Sequence, residues 1–303
     1  MARRHIRARL LVLTLAFACR AAQAAPEATP NFAPDDHTSW FPDRPDADNF
    51  LPPENGPGPV VSRPGYPYVP NGDETDFAAT NPTYRVADIT NPILQPWVVA
   101  QMKRDNEEVI AGKIPFTARE RCYPGGVPGW DVFRRVAPPM LFFIQTPEKV
   151  LMIWRGDNQV RRVYMNVPHS TNVKPSWYGE SVGHYENGDT LVVDTIGLND
   201  KSYVDNYRTP HTTQLHVVER FRLTDNDKTI EVSIHVEDPS AFTTPWNARQ
   251  VLSSFGGSRT QKGTLDESSC AESGSLPQFD YGNYGASHVA DLVPVPKANK
   301  PDF

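Results

Sequence analysis

Cysteine is scarce in this chain of 303 residues, which contains only Cys19, Cys122 and Cys270. No cysteine pair with zinc-ligand spacing is present, so a structural zinc site built on cysteines is excluded. If the protein is exported, Cys122 and Cys270 are expected to form one disulfide; two unrelated buried thiols are the alternative. Closing a loop of this length would stabilise the fold by about 5 kcal/mol in the chain-entropy model.

Basic residues are also under-represented, with 30 Lys and Arg against 36 Asp and Glu, a formal net charge of −6. The basic residues are scattered along the chain rather than clustered. Proteins that bind nucleic acid or anionic lipid usually carry a basic patch. The composition therefore argues against nucleic acid and against an anionic membrane surface as partners.

Long hydrophobic segments are missing apart from Leu10–Ala18, which is too short to span a bilayer. This run follows four arginines and precedes the small-x-small pattern of Ala22–Ala24, so residues 1–24 are predicted to be an export signal. Its removal would change the formal net charge to −11. Lipoprotein processing at Cys19 is the alternative. We expect a periplasmic or secreted protein without membrane insertion.

Three further regions follow the predicted signal. Residues 25–92 hold 14 of the 30 prolines and show no regular hydrophobic period, which predicts an extended leader. Residues 93–255 are predicted to form the folded domain. Residues 256–303 return to Gly, Ser and Pro, and are expected to be an irregular tail tied to that domain.

The folded region begins with a helix and continues as strands. An imperfect apolar stripe, with Pro96 in the first turn and Gly112 after the end, predicts a helix over Leu94–Ala111. Alternating and apolar runs separated by turn residues predict the strands that follow. These predicted strands are Met140–Thr146, Val150–Arg155, Gln159–Asn166, Glu180–Glu186, Thr190–Ile196, Leu215–Leu223 and Thr229–Glu237.

Successive hairpins without intervening helices exclude a parallel α/β sheet. The pattern favours a mainly β fold, an antiparallel up-and-down barrel or strongly curved sheet of lipocalin-like layout, with the N-terminal helix packed on it. A β-sandwich is the alternative.

The stretch from Tyr164 to Thr195 concentrates the groups that can move protons. If the hairpins stack in chain order, His169, Glu180 and His211 are expected to meet at one mouth of the barrel. A histidine beside a carboxylate is a common proton-transfer pair. His184 and Asp194 are predicted to orient the polar end of a ligand. Asp194 is expected to face inward, or to pair with an arginine such as Arg220.

Two other chemistries, a metal site and a serine nucleophile, have weaker support in the sequence. The side-chain types of metal ligands are present at His169, His184, His211 and His216, with Glu180. No HxH or HExxH spacing is present, so no cofactor is predicted, and a metal at His169, His184 and His211 is a minority alternative. Ser181 lies in a G-x-S-x-G string, yet a nucleophile elbow needs a strand before it and a helix after it. A β-hairpin follows Ser181, which argues against a serine hydrolase.

Aromatic residues near these groups are predicted to bind the substrate. Stacking on a sugar or an aromatic ring is the expected role, and closing the ends of the barrel is the structural alternative. Trp246, in a proline-stiffened turn, is a candidate lid. The predicted substrate-binding set is Trp177, Tyr178, Ser181, Tyr207 and Trp246.

Several segments together resemble a large family of exported bacterial proteins without an assigned activity. The matching segments cover most of residues 93–247 and are LQPWVVAQMKRDNEEVIAGKIPFTARERC, FIQTPEKVLMIW, PHSTNVKPSWYGESVGHYENGDTLVVDTIGLND, TPHTTQLHVVERFRL and VEDPSAFTTPW, with NKPDF near the C-terminus. Asn187 is an extra residue in a turn that the family pattern gives as GHYEGDT. The resemblance implies one exported domain and transfers no reaction.

These observations favour an exported enzyme that uses histidine and carboxylate acid–base chemistry on a small sugar-like or aromatic molecule in a barrel pocket. A lyase, an isomerase and a hydrolase all remain open. The density of titratable groups near Trp177 and Tyr178 favours this hypothesis over a lipocalin-like carrier of an apolar or aromatic molecule. An envelope-interaction protein with the leader as its contact segment is the third hypothesis. The sequence leaves the oligomeric state open.

Overall fold

The computed structural model describes residues 29–34, 38–42, 50–66, 86–111, 123–129, 140–154 and 159–254. Its strands close into one barrel in chain order, which confirms the predicted mainly β, lipocalin-like architecture. The strands are β1 (Trp40–Pro42), β2 (Leu141–Gln145), β3 (Lys149–Trp154), β4 (Gln159–Met165), β5 (Glu180–Glu186), β6 (Thr190–Ile196), β7 (His216–Thr224), β8 (Thr229–Glu237) and β9 (Trp246–Ser254).

Alternation along the strands separates an inner from an outer face. In β8 the four apolar residues from Ile230 to Val236 are buried and the residues between them are more exposed, as the sequence predicts. Large side chains fill the inside of the barrel. The bulkiest of these fully buried residues include Trp40, Trp154, Met152, Phe221 and Trp246.

One strand pair departs from the expected up-and-down order. β4 and β5 are parallel, with Val163 beside Ser181 and Met165 beside Gly183. Parallel neighbours need a crossover connection rather than a tight turn. Residues 166–179 are this crossover. The crossover begins at Asn166, where the chain turns back with a φ of 57°. The backbone N–H of Asn166 donates to the Gly183 carbonyl.

Two strands were not predicted. β1 lies in the proline-rich leader and pairs with both β2 and β9, so part of the leader completes the barrel. The fully buried Trp40 anchors it and donates its indole N–H to the Phe32 carbonyl at 2.8 Å. The sequence analysis assigns only the first residue of β9, Trp246, to a proline-stiffened turn, whereas β9 pairs with β8 along eight residues.

The predicted helix is present as α1 (Pro96–Ile110), with Pro96 at its first position, where a missing N–H breaks no helical hydrogen bond. Val98 and Met102 bury one face in the main core. The side chain of Asn106 exchanges two hydrogen bonds with the backbone of Ala87, which ties α1 to the leader. In the described part of the chain, no helix combines the length and apolarity needed to cross a membrane.

The hairpin between β5 and β6 has the turn chemistry that the sequence predicts. Asn187 and Gly188 both have positive φ, at 57° and 73°, as the central residues of a type I′ turn require, and the Asp189 N–H donates to the Glu186 carbonyl at 3.3 Å. Other predictions lie outside the described residues: the export signal over residues 1–24 with its alternative at Cys19, the Cys122–Cys270 disulfide, and the irregular tail over residues 256–303. The hairpin turn that Gly156–Asn158 predicts between the strands Val150–Arg155 and Gln159–Asn166 also lies outside them.

A buried ion pair lies inside the barrel. Arg161 of β4 donates to Glu219 of β7 at 2.5 Å, and the two side chains are 1% and 3% exposed. Arg161 also donates to Ser181 of β5 and Thr195 of β6, so four strands share one hydrogen-bond network. Charges in such an environment are tolerated only when they are paired and hydrogen-bonded.

We expect Glu219→Gln to destabilise the protein by about 3–5 kcal/mol, because it leaves the Arg161 charge buried without a counterion. Glu231→Gln is the matched control, since Glu231 pairs with Arg222 on the outer face, where both side chains are about half exposed. We expect the control to cost less than about 1 kcal/mol. Urea unfolding measures both values. Equal losses in the two variants would contradict this assignment.

Candidate functional site

The crossover between β4 and β5 places His169 over the outer face of the barrel. His169 Nδ1 lies 3.2 Å from Oε1 of Glu180, the first residue of β5. Ser170 donates its backbone N–H to the same oxygen and its hydroxyl to Oε2, both at 2.6 Å. Both oxygens of Glu180 are therefore occupied, and Glu180 holds His169 in place. The sequence correctly predicts that these two residues lie together.

Asp194 of β6 is the centre of the arrangement. Its Oδ1 lies 3.1 Å from His169 Nε2 and 2.9 Å from Nε2 of His216, the first residue of β7. Asp194 is opposite Val182, so it shares the outer face with Glu180. The expectation that Asp194 faces inward or pairs with Arg220 is wrong, since Arg220 lies 3.7 Å from Glu186 instead.

The hydrogen-bonded chain continues across the next two strands. Register places His216 directly opposite Glu237 of β8, and His216 Nδ1 lies 3.5 Å from Glu237 Oε2. Glu237 Oε1 lies 2.9 Å from His235 Nε2, and His235 Nδ1 lies 2.8 Å from the Asn247 side-chain oxygen. We call this group the carboxylate–imidazole cluster: His169, Glu180, Asp194, His216, His235 and Glu237.

Hydrogen bonding, more than burial, sets the charge states in the cluster. The bond from His216 lowers the pKa of Asp194, and the bond to Asp194 raises the pKa of His216. The Ser170 hydroxyl lowers the pKa of Glu180, and His235 lowers that of Glu237. The three carboxyl groups are therefore ionised at neutral pH, and His216 keeps more of its proton than an isolated histidine.

The cluster is open to solvent. His169 and Glu180 are 20% and 21% exposed, and Asp194 is 39% exposed. Asp194 Oδ1 is hydrogen-bonded to the imidazoles of both His169 and His216. No hydrogen bond from the described part of the chain reaches Asp194 Oδ2. A carboxylate oxygen beside an imidazole that retains its proton is thus accessible to a molecule from solution. This arrangement can accept and donate a proton at neighbouring points.

His211 does not join the cluster, contrary to the sequence-based expectation. It is 3% exposed, and its Nδ1–H donates to the Thr212 carbonyl at 3.0 Å. The Ser202 hydroxyl lies 3.0 Å from the other ring nitrogen. Burial lowers the pKa of His211, which favours the neutral ring, and both ring nitrogens have hydrogen-bond partners within the fold.

His184 also lies apart from the cluster. It shares a face of β5 with Glu180, as alternation predicts, but this is the outer face and not a barrel pocket, and its Nε2 lies 3.0 Å from Glu186 Oε1. His169, His184 and His211 thus belong to three separate hydrogen-bonded groups. Within the described residues, no group of three His, Cys, Asp or Glu side chains has a metal-binding arrangement.

Three of the predicted substrate-binding residues are buried and lie apart from the cluster. Ser181 is buried inside the barrel, bonded to Thr195 and Arg161, and has no elbow context. Trp246 is 1% exposed and packs edge-on against Phe242, so it is a core residue and not a lid. Tyr207 is buried, with its hydroxyl 2.9 Å from that of Ser62.

The aromatic residues before Glu180 are better placed. Trp177 stacks on Tyr123, with ring centroids 5.2 Å apart and planes 14° apart, and Tyr123 is 48% exposed. Tyr178 donates its hydroxyl to Gln159 at the start of β4. We call the first pair the Tyr123–Trp177 stack. Trp177 lies three residues before Glu180 in the sequence, and Tyr123 presents an aromatic ring to solvent.

A cavity of about 550 Å³ lies elsewhere, between α1 and the segment around residues 88–90. Its lining includes Arg63, Asp88, Lys103 and Glu107, and none of the predicted site residues. The chemistry-bearing side chains and this cavity are therefore separate features of the molecule.

Sequence reasoning missed four contributors to the site. Ser170, His216, His235 and Glu237 were not predicted as site residues, although His235 and Glu237 fall on the wet face of a recognised strand. The usable signal was the short connection between β7 and β8. Pairing Thr224 with Thr229 across it brings His216 opposite Glu237.

Comparison with known proteins gave no family assignment: no protein-family model, curated protein or solved structure matches this chain. Membership of the exported bacterial family therefore stays a prediction from the sequence segments.

Asp194→Asn is expected to give a pH-dependent loss of stability. A lowered carboxyl pKa stabilises the folded state above the usual value of 3.8, and this contribution is lost as pH falls through the folded pKa. A raised histidine pKa stabilises it below 6.5, and this contribution is lost as pH rises through the folded pKa.

The difference in free energy of unfolding between the wild type and the variant should thus be largest between pH 3.8 and 6.5. Urea titrations across this range measure it, and NMR of the histidine ring protons should show a lower His216 pKa in Asp194→Asn. A stability difference of equal size at about pH 5 and about pH 8 would count against the coupling.

Proposed function

We propose that the protein is an exported enzyme that performs acid–base chemistry on a small organic molecule at the carboxylate–imidazole cluster. The observation that carries this proposal is the solvent-accessible contact of 2.9 Å between Asp194 and His216. Their charge states favour an ionised carboxylate beside an imidazole that holds a proton. The reaction class remains lyase, isomerase or hydrolase, and the predicted export signal is the basis for a periplasmic or secreted location.

Each residue has a role that follows from its contacts. His216 is the proton donor, because its second nitrogen has only the longer 3.5 Å contact to Glu237 and can turn towards a ligand. Asp194 is the proton acceptor through its accessible oxygen. His169 positions Asp194, and Glu180, held by Ser170, positions His169.

The outer face is favoured over the inside of the barrel as the reaction site. Large apolar side chains and the Arg161–Glu219 pair fill the inside, whereas the cluster faces water. The same packing leaves the lipocalin-like carrier, one of the two other functions considered, without an observation in its favour among the described residues.

Asp194→Asn is expected to lower turnover by about 100-fold or more, because general acid–base groups contribute on this scale. Activity is first located by screening the full chain against chromogenic acetals, esters and enolisable ketones. The variant's kcat/KM is then compared with that of the wild type at about pH 6, between the ordinary pKa values of 3.8 for the carboxyl group and 6.5 for the imidazole.

Glu186→Gln is the matched control. It also converts a carboxylate bonded to an imidazole into an amide, but on a histidine outside the cluster. We expect its turnover to stay close to that of the wild type. Turnover that survives in Asp194→Asn, or that falls equally in both variants, would overturn the assignment to this cluster.

A further inference from the structure

The charge of the cluster restricts the reaction that it can favour. It contains three carboxylates and three imidazoles, so its net charge lies between −3 and 0. In the described part of the chain, no Lys or Arg side chain is hydrogen-bonded or ion-paired to any member. Such a site stabilises positive charge that develops on a ligand and opposes negative charge.

This preference for positive charge over negative charge distinguishes between the reaction classes that acid–base residues alone leave open. Proton removal beside a carbonyl, as in many isomerases and lyases, develops negative charge on oxygen and needs cationic or N–H donors nearby. Cleavage of an acetal or glycosidic bond develops positive charge at carbon through an oxocarbenium-like transition state. The ionised carboxylates of Asp194 and Glu237 oppose the former and favour the latter.

The Tyr123–Trp177 stack indicates the shape of the ligand. Trp177 is three residues before Glu180, so their Cα atoms are at most about 11 Å apart. The exposed ring of Tyr123 offers an apolar face to a flat or ring-shaped molecule. A ligand with a ring on this face and a polar bond at the cluster matches both features.

We propose that the substrate is an uncharged, ring-containing acetal or glycoside, which the cluster hydrolyses through a cation-like transition state. This inference rests on the proposed acid–base function and names its substrate class. His216 gives its proton to the leaving oxygen, which also takes the electron pair of the breaking C–O bond. A water oxygen bonds to the same carbon and gives one proton to Asp194, from which His216 is reprotonated. The products are a hemiacetal and an alcohol.

Three ring probes of similar shape test the charge preference: a hydroxylated piperidine protonated on nitrogen, a neutral hydroxylated tetrahydropyran, and a hydroxylated tetrahydropyran carboxylate. We expect the protonated ring to bind the full chain at least about 10-fold more tightly than the neutral ring, and the carboxylate to bind more weakly than either. Calorimetry gives the dissociation constants, and the histidine NMR signals report the site.

Three variants locate the binding of the probes. Asp194→Asn should reduce the preference for the protonated ring towards equality with the neutral ring, whereas Glu186→Gln should retain it. Tyr123→Ala should weaken binding of the neutral ring by about 10-fold, because stacking is lost. The ratio between the dissociation constants of the charged and neutral probes should change little.

The outcomes distinguish this inference from the proposed function. If Asp194→Asn loses turnover but the carboxylate ring binds as tightly as the protonated ring, the acetal inference fails and the acid–base site stands. If none of the three probes binds, the inference also fails. If Asp194→Asn retains turnover, the proposed function fails whatever the probes show.

Discussion

The parallel pairing of β4 and β5 is the constraint from which the site follows. Because the two strands run in the same direction, the chain must travel back along the barrel between them. That crossover, residues 166–179, lies on the outer face and carries His169 to Asp194. An antiparallel hairpin at this place would have a short turn and no segment to hold a histidine over β6. The feature that breaks the simple barrel order is thus the one that assembles the cluster.

The hydrogen-bond network inside the barrel and the cluster on its outer face are built on the same strands. Arg161, Ser181, Thr195 and Glu219 link β4 to β7 from within, and this network fixes which residues alternate outward. Since the side-chain period of a strand is two, a slip of one residue would exchange the two faces. Asp194 would then point into the core. The buried ion pair therefore supports the register on which the outer cluster depends.

The strands that can be predicted from the sequence are those marked by local patterns. β6 and β8 are predicted to their terminal residues, because period-two alternation and turn residues mark both ends. β1 is three residues among prolines, and its partners are more than 90 residues away, so no local pattern indicates it. The proximity of His169 and Glu180 was predicted correctly. The error about Asp194 came from assigning chemistry to the inner face, since alternation gives two faces without saying which one meets water.

His211 and His216 show why the position of a histidine matters more than its neighbours in sequence. Burial lowers the pKa of His211, so that ring stays neutral and serves a hydrogen-bond network. His216, five residues later, lies at the surface, where a bond to Asp194 raises its pKa. A surface site cannot use desolvation to tune its groups strongly, so it depends on carboxylate geometry instead. That geometry comes from adjacent strands in register, and for this reason the chemistry of the cluster is a property of the barrel and not of any one motif.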